Sequence, residues 1–407
     1  MIKKNIAVLI DLELSKKSGG HVKFWERICE SIKQYPLDIK LNLFFLGKKE
    51  EKIRFSKSIN FNILKPIFST KFLRFFGIDA DYTDLFPINL RLFFQLRRFD
   101  LIHTTDQLFT MSRTARLASK IWKIPLTTSY HTDATSYTKY YVLKIFSKLP
   151  FLLKYIIIDK IKLHEIIAKN QKKKIINYFL SVKQIMIDDK ILNDYFCLKN
   201  KKSIHLQRGI NKNIFKKKKI NKEKTLEKFS LPKKKKIIFF CGRIHRLKGV
   251  FFLAEIHKEL ENKGVDVVTV LAGEDFEGDE CKKIGGDNLI VINYLNQNEI
   301  SSFMNICDFF VFPSLYETGP QVVLEAKACE AVCIVSPDGG GKRIKHNIDG
   351  IIMEKYSSKV WCNEIIKLLD NSKKTNTIKK NLKKSKNQAT WKDIFFKCFY
   401  NSWKKIL

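Results

Sequence analysis

Short apolar runs alternate with longer amphipathic stretches along most of the chain. A strand buried in a parallel sheet gives a short apolar run, and the helix that crosses back over the sheet gives an amphipathic stretch. The pattern therefore predicts parallel sheets joined by helical crossovers. In the first half of the chain it predicts strands near residues 6–10, 41–46, 101–104, 126–130 and 178–182.

The second half of the chain carries another series of apolar runs. They predict strands near residues 237–241, 267–272, 289–292, 309–312, 332–336 and 351–353. Between the two series, residues 211–236 are rich in lysine and poor in apolar periodicity, which favours an interdomain connection. A chain of 407 residues is also too long for one simple core. We therefore expect an α/β domain over residues 1–210 and another over 211–388.

Helical spacing is clearest after the strand predicted near residues 237–241. Leu253, Ile256 and Leu260 recur at helical intervals, and Gly264 is a stop signal. The helix therefore begins near Gly249, which places residues 241–249 in a loop at the carboxyl end of a strand. Open α/β sheets bind ligands at that edge.

This loop carries Arg243 and Lys248. The planar guanidinium of an arginine and the mobile ammonium of a lysine can together bind a diphosphate. Fixed cations also stabilise the charge that develops on a departing nucleoside diphosphate, so no metal is required. Either residue alone is more often a solvated side chain, and the prediction depends on their lying near the glutamates described next.

Glu317 and Glu325 flank the predicted start of another helix. Pro320 favours the first helical turn, whose backbone N–H groups attract anions. Glu317 then lies just outside the helix, and Glu325 lies within it among apolar neighbours, where a carboxylate needs a hydrogen-bonding partner. The spacing is typical of a sugar-nucleotide site in which the carboxylates hold opposite ends of one ligand. The alternative is two surface glutamates on an amphipathic helix.

Polar residues also follow two strands of the first domain. Gly19 and Gly20 either let the backbone approach a phosphate or sugar closely or form a simple tight turn. His131, after the strand near residues 126–130, either bonds a sugar hydroxyl, helps a proton leave an acceptor, or is structural.

Two other polar clusters are interpreted as ordinary loops. Asp79, Asp81 and Asp84 follow no clear strand end, so we expect a polar loop and no metal site. The glycines at 339–341 precede Lys342, but the Ser or Thr of a P-loop is missing.

The formal net charge of the chain is +35. Such a charge attracts phosphate-bearing partners, which favours nucleic acid or an anionic membrane. Lysine greatly outnumbers arginine, however, as expected from an AT-rich genome, and the lysine runs at 216–219 and 233–236 are typical of solvated loops. No recognisable nucleic-acid-binding module accompanies the charge, so we predict no nucleic-acid partner.

The sequence also bears on location. Nine cysteines without a Cys-x-x-Cys pair predict neither a disulfide framework nor a zinc site and fit a reducing cytosol. Residues 1–10 lead directly into a strand, so we expect no secretory signal. Residues 140–167 are the most apolar region, but lysines interrupt them too often for a bilayer span. They form either an interfacial surface on an anionic membrane or a helical pair that covers the sheet.

Taken together, these residues resemble the family 4 retaining glycosyltransferases. The similarity rests on motifs in the family's order: Ser-Gly-Gly-His at 18–21, Tyr-His-Thr-Asp at 130–133, Arg-Gly-Ile-Asn to Phe at 208–215, Gly-Arg to Lys-Gly at 242–249, the spaced glutamates at 317–325, and Gly-Gly to Asp-Gly at 340–350. The resemblance implies the GT-B architecture, two Rossmann-like domains with parallel sheets facing each other across a cleft. It also implies that residues 389–407 form a helix that returns to the first domain.

The resemblance implies roles for individual residues. Arg243 and Lys248 would hold the diphosphate, Glu325 the ribose and Glu317 the donor sugar. Gly20 would contact phosphate or sugar, and His131 the sugar near its anomeric carbon. The implied catalytic residues are His131, Arg243, Lys248 and Glu317. The implied donor-binding residues are Gly19, Gly20, Arg243, Lys248, Thr318, Gly319, Pro320, Gln321 and Glu325.

The chain departs from the family pattern at two places. The usual Gly-Phe-Gly between the glutamates is replaced by Thr318-Gly319-Pro320-Gln321, so the donor sugar is not predicted. The usual Ala-x-Gly after the second glutamate is replaced by Ala328-Cys329-Glu330, which affects the packing behind the site.

We therefore predict a retaining hexosyltransferase that uses a nucleoside-diphosphate sugar and no metal or other cofactor. The departing diphosphate would take the proton of the acceptor during front-face transfer. Residues 130–133 resemble those of members that act on lipids, so we expect an envelope lipid or lipid-linked glycan as acceptor. The expected location is the cytoplasm, with peripheral contact to the anionic inner face of the membrane.

Two alternative functions also fit parts of the sequence. A sugar-nucleotide epimerase of GT-B-like fold would bind the same donor but would need general acid and base carboxylates near the sugar. A basic nucleic-acid-binding protein is the alternative that is not an enzyme, and it rests almost wholly on the net charge.

Overall fold

The computed structural model describes residues 3–15, 18–76, 81–147, 149–188, 191–199, 203–315, 317–384 and 388–407. The chain divides into two units. The N-terminal unit consists of Met1–Gln207 and Trp391–Leu407, and the C-terminal unit consists of Arg208–Thr390. The chain thus leaves the N-terminal unit after residue 207 and re-enters it at residue 391, compared with the predicted boundaries after residues 210 and 388.

The N-terminal unit is built on an eight-stranded sheet. Its strands are β1 (Lys4–Glu13), β2 (Ile39–Leu46), β3 (Glu51–Arg54), β4 (Ile59–Leu64), β5 (Leu101–Thr104), β6 (Leu126–Ser129), β7 (Gln184–Ile187) and β8 (Ser203–His205). Their order is β3-β4-β2-β1-β5-β6-β7-β8, and all neighbours are parallel except β3 and β4. Strands β5 and β6 are buried along their whole length, as expected when helices cover both faces of a parallel sheet.

Helices connect these strands. They are α1 (Gly20–Ile32), α2 (Leu90–Leu96), α3 (Thr110–Trp122), α4 (Ala134–Phe146), α5 (Phe151–Lys154) and α6 (Leu163–Ser181), with a 3-10 helix at Thr70–Phe76 and π-helical turns at Tyr155–Lys160 and Ile191–Tyr195. Helix α3 shows why they form, because Met111, Ala115 and Ala118 recur at helical spacing and are all buried.

The C-terminal unit contains a six-stranded parallel sheet in the order β11-β10-β9-β12-β13-β14. Its strands are β9 (Lys236–Cys241), β10 (Val267–Ala272), β11 (Leu289–Ile292), β12 (Phe309–Phe312), β13 (Cys333–Val335) and β14 (Ile351–Ile352). Its helices are α7 (Lys222–Lys228), α8 (Val250–Asn262), α9 (Gly278–Gly285), α10 (Gln297–Ile306), α11 (Gln321–Ala328), α12 (Ser358–Asp370) and α13 (Ser372–Lys384), with 3-10 turns at Arg246–Lys248 and Gly341–Arg343.

The last residues of the chain pack into the N-terminal unit. They form α14 (Trp391–Ile394), a π-helical segment (Phe395–Tyr400) and α15 (Asn401–Ile406). Phe395, Phe399 and Trp403 are fully buried. The Phe399 ring lies 4.9 Å from that of Trp25 in α1, and the Trp403 ring lies 5.4 Å from that of His103 in β5. This segment therefore completes the core on one face of the first sheet.

The prediction of two α/β domains with parallel sheets is confirmed. The strand predicted near residues 178–182 is wrong, because Ile175, Tyr178 and Phe179 form the buried face of α6 and the strand follows at Gln184–Ile187. Residues 211–236 contain α7 and contribute Phe215, Leu226 and Leu231 to the second core. Their lysines lie around these buried side chains, so the segment is an integral part of the C-terminal unit.

We expect Trp403→Ala to lower the free energy of unfolding of the N-terminal unit by about 3–5 kcal/mol, since it empties a fully buried site. Lys405→Ala, on the exposed side of the same helix, is the matched control and should change it by less than about 0.5 kcal/mol. Urea unfolding measures both values. Equal effects of the two changes would contradict the role given to the C-terminal segment.

Candidate active site

Arg243 and Lys248 lie in the loop that follows β9. The loop is tied to the end of β10, because the N–H of Gly242 donates to the carbonyl of Ala272 at 2.9 Å. The chain then makes the 3-10 turn at Arg246–Lys248, and α8 starts at Val250. Both cations are therefore at the carboxyl end of a strand, where the sequence predicted them.

Gly249 brings this loop close to the segment after β12. Its φ angle is +75°, a conformation that L side chains rarely adopt, and an added Cβ would lie 2.5 Å from the carbonyl oxygen of Pro313. No larger residue allows this approach without moving the backbone. Lys248, the preceding residue, is thereby held beside Glu317.

Lys248 and Glu317 form an ion pair in this region. The Nζ–Oε1 distance is 2.6 Å, and the side chains are only 15% and 14% exposed. The Ser314 hydroxyl lies 3.1 Å from the same Glu317 oxygen and 3.3 Å from the carbonyl oxygen of Leu247, so it can donate to either. A cation and a carboxylate from the loops after β9 and β12 therefore meet in one place.

Glu325 lies on α11, which begins at Gln321 with Pro320 as its N-cap residue, one position later than predicted. Its side chain is almost fully buried. Gln321 Nε2 lies 3.2 Å from Glu325 Oε1 and 2.7 Å from the carbonyl oxygen of Gly209. The expected hydrogen-bonding partner is thus one helical turn away. The burial of Glu325 and the 14% exposure of the Glu317 side chain do not fit the alternative of two surface residues.

Two arginines lie beside the loop between the glutamates. A Cβ added to Gly319 would lie 3.0 Å from Arg208 Nε and 3.5 Å from Arg343 Nη2. The position of Arg343 is fixed in part by Lys327, whose ammonium donates to the Arg343 carbonyl at 2.6 Å and pairs with Asp349 at 2.8 Å. Neither arginine was predicted to be a site residue, although Arg208 stands in the Arg-Gly-Ile-Asn motif.

Gly19, Gly20 and His131 belong to the N-terminal unit. Gly19 is the N-cap residue of α1, and a Cβ added to it or to Gly20 would have no described heavy atom within 4 Å. The imidazole of His131 is buried, stacks on that of His21 at 4.4 Å, and has its Nε2 2.7 Å from Ser129 Oγ. The structure thus groups His131 with the start of α1.

The aspartate loop is in part structural. The Asp84 carboxylate is buried and accepts hydrogen bonds from the backbone N–H groups of Ile67, Phe68 and Phe86 at 2.8–3.0 Å. Asp79 lies outside the described residues. Within the described ranges, no group of three or more His, Cys, Asp or Glu side chains is placed to hold a metal ion.

Residues 151–166 expose apolar side chains. Phe151 is 81% exposed and Leu152 is 72% exposed, and no residue of α5 or of the following π-helical turn is buried. These residues therefore do not pack as a helical pair that covers the sheet, and contact with a membrane stays a prediction. None of the helices in the described parts of the chain is both long and apolar enough to cross a bilayer. Lys148, part of the same lysine pattern, lies outside the described residues.

Comparison with known families and sequences gives a consistent group of matches. Residues 221–385 match the family "Glycosyl transferases group 1". N,N'-diacetylbacillosaminyl-diphospho-undecaprenol alpha-1,3-N-acetylgalactosaminyltransferase of Campylobacter jejuni is 31% identical over 150 residues, which cover 36% of this chain and 39% of that protein. UDP-Gal:alpha-D-GlcNAc-diphosphoundecaprenol alpha-1,3-galactosyltransferase of Escherichia coli is 29% identical over 175 residues, 40% of this chain and 44% of that protein. The matched part thus spans less than half of each relative.

Solved structures match over nearly the whole chain. Sucrose-phosphate synthase from Thermosynechococcus elongatus has a TM-score of 0.73 at 15% identity and covers 99% of both chains. HepE from Anabaena in complex with UDP and glucose has a TM-score of 0.68 at 14% identity and covers 99% of this chain and 100% of its own. At such identities the likeness shows the fold alone.

We expect Gly249→Ala to destabilise the C-terminal unit by more than about 2 kcal/mol, because it combines a positive φ with a clash against Pro313. Gly264→Ala is the matched control. Gly264 has a φ of +73° and nothing within 4 Å of an added Cβ, so only the backbone penalty of about 1 kcal/mol applies. Denaturant unfolding measures both, and equal losses would show that the close approach to Pro313 is unimportant.

Proposed function

We propose that this chain transfers a hexosyl group from a nucleoside-diphosphate sugar with retention of configuration, because it has the GT-B fold and its residues 221–385 match the family "Glycosyl transferases group 1". The observation that carries the proposal is the ion pair between Lys248 and Glu317, which lies in the loop before the helix that contains the buried Glu325. Cations and carboxylates in one site suit a ligand with a diphosphate at its centre and hydroxyl groups at both ends.

The donor would be held by groups of different chemistry. Arg243 and Lys248 would bind the diphosphate, and an ammonium can donate to a phosphate oxygen and to Glu317 at the same time. Glu325 would accept from the ribose hydroxyls as well as from Gln321, since a carboxylate has about four acceptor positions. Glu317 and the backbone at Thr318, Gly319 and Pro320 would contact the sugar.

In the reaction we propose, the bond from the anomeric carbon to the diphosphate breaks while the acceptor oxygen attacks from the same face. The departing diphosphate oxygen takes the proton of the acceptor, so no protein base and no covalent intermediate are needed. Arg243 and Lys248 stabilise the negative charge that grows on the leaving group. His131 accepts a hydrogen bond from a sugar hydroxyl.

We further propose an envelope lipid or a lipid-linked glycan as acceptor, with the enzyme in the cytoplasm and peripheral on the membrane. Support comes from the two relatives whose names specify undecaprenol-linked acceptors. The exposed Phe151 and Leu152, together with Lys154 and Lys160, give an apolar surface with positive charge around it. That combination suits the interface of an anionic membrane.

The donor site is tested by thermal stabilisation with a panel of UDP-, GDP- and ADP-sugars. At a ligand concentration of about 100 times Kd, binding should stabilise the native state by roughly 2.7 kcal/mol and raise Tm. Arg243→Ala and Glu325→Ala should remove the shift, whereas Glu280→Ala, an exposed control in α9, should keep it. If no sugar nucleotide stabilises the wild type, the site assignment fails.

Activity with and without chelator then tests the reaction itself. We expect transfer to continue in EDTA, since protein cations serve the diphosphate. Incubation with the donor alone should leave its sugar unchanged, and the appearance of an epimer would favour the epimerase.

The membrane proposal is tested by flotation with phosphatidylglycerol-containing vesicles. Reversing both charges in Lys154→Glu/Lys160→Glu should lower binding by at least about 10-fold, given roughly 1 kcal/mol per lysine near an anionic surface. Lys40→Glu/Lys52→Glu makes the same charge change at exposed positions of β2 and β3 and should have little effect. Equal loss in both variants would indicate attraction by net charge alone.

A further inference from the structure

A chain of hydrogen bonds runs through the buried centre of the N-terminal unit and ends at His131. Thr127 Oγ1 lies 2.9 Å from His103 Nδ1, His103 Nε2 lies 2.9 Å from Ser129 Oγ, and Ser129 Oγ lies 2.7 Å from His131 Nε2. Thr127, His103 and Ser129 are fully buried. His103, which was not predicted as a site residue, is the central group of this hydrogen-bond chain.

The sheet register explains the arrangement. His103 of β5 is the direct partner of Thr127 in β6. Residues 127 and 129 face the same side of their strand, because side chains alternate along it. The imidazole of His103 therefore contacts the hydroxyls of both Thr127 and Ser129, and the Ser129 hydroxyl also contacts His131.

The His103 ring is neutral. Rings of Trp25, Phe399 and Trp403 lie 5.4–5.5 Å from it, and burial lowers the pKa of His103 to about 3. A neutral imidazole carries one proton, so one ring nitrogen donates and the other accepts.

The proton of Thr127 sets the direction of the chain. Thr127 Oγ1 lies 3.5 Å from the carbonyl oxygen of Ile102 and 2.9 Å from His103 Nδ1, and when its hydroxyl donates to Ile102 its oxygen accepts from His103 Nδ1–H. His103 Nε2 must then accept the single proton of Ser129. Because that proton is used, Ser129 Oγ accepts from His131, which places a proton on His131 Nε2.

We propose that His103 is a positioning residue that acts through Ser129 to hold His131 in the Nε2–H tautomer. The neutral His131 ring then has its lone pair on Nδ1 and serves as a hydrogen-bond acceptor for a hydroxyl group. This use of His131 rests on the proposed glycosyl transfer, whereas the hydrogen-bond chain rests on the geometry alone. The His21 ring stacks on that of His131 at 4.4 Å, and two charged imidazoles at this distance would repel each other.

The proposal is tested by NMR of protein with ¹⁵N-labelled histidine, in which the ring nitrogen shifts report the tautomers. The wild type should show His103 as Nδ1–H and His131 as Nε2–H, with assignments from His103→Gln and His131→Gln. Wild-type His131 in the Nδ1–H form would overturn the proposal.

Thr127→Val should reverse the direction of every hydrogen bond from His103 to His131. Valine cannot accept from His103 Nδ1–H, so the proton moves to Nε2 and donates to Ser129, which then donates to His131 Nε2. His131 should switch to Nδ1–H, two hydrogen bonds from the substitution. When Thr127→Val is combined with Ser129→Ala, the tautomer of His131 should not change relative to Ser129→Ala alone. A change of tautomer in the double variant would overturn the proposal. So would an unchanged His131 tautomer in the single variant Thr127→Val.

Thr128→Val is the matched control. Its hydroxyl is equally buried but contacts Thr104 and Gln107 on the opposite face of β6, so both tautomers should stay as in the wild type. With a sugar nucleotide found as donor, Thr127→Val should lower kcat on the order of 10-fold at unchanged donor affinity, and Thr128→Val should not. A switched tautomer with unchanged kcat would remove the functional role. If the tautomers are as expected but no donor supports transfer, the proposed function is wrong and the proposed hydrogen-bond chain still stands.

Discussion

The C-terminal unit depends on one close approach, that of the loop after β9 to the segment after β12. Two parallel strands that pair in the sheet bring their carboxyl ends to the same edge, and β9 and β12 are such neighbours. The positive φ of Gly249 lets the first loop come within contact of Pro313, and Lys248 then reaches Glu317. Burying an ion pair is costly, and it is maintained when further hydrogen bonds satisfy the charges, as Ser314 does here.

The fold was largely predictable because parallel sheets leave a strong local signal. Strands β9 to β14 coincide with the predicted runs to within about two residues, since each is a short apolar segment that ends at a polar loop. The error near residues 178–182 has a local cause. Tyr178 and Phe179 are adjacent aromatic residues, and only their spacing from Ile175 shows that they lie on a helix. Strand β8 was missed because its residues are half-buried and carry little apolar contrast.

The candidate site was only partly predictable, and the limit is physical. Lys248 and Glu317 could be found because each follows a strand end within a recognisable spacing. The approach of Arg208 and Arg343 to Gly319 could not, since it joins residues far apart in the chain through loops without periodicity. In the N-terminal unit, the contacts of Asp11 were likewise not predictable, because its carboxylate accepts from the backbone N–H groups of Asp84 and Met111, which are far from it in the sequence. Its pKa is raised well above the usual range by burial and by the nearby Asp106.

The C-terminal segment links distant parts of the sequence to the chemistry of His131. His103 would have an ordinary imidazole environment if Phe399 and Trp403 did not cover it, because water could then solvate the charged form. Together with Trp25 these two rings bury the His103 imidazole, and burial lowers its pKa and keeps it neutral. The residues after position 390 therefore do more than complete a hydrophobic core. They cover His103, which belongs to the row of hydrogen-bonded side chains that ends at His131.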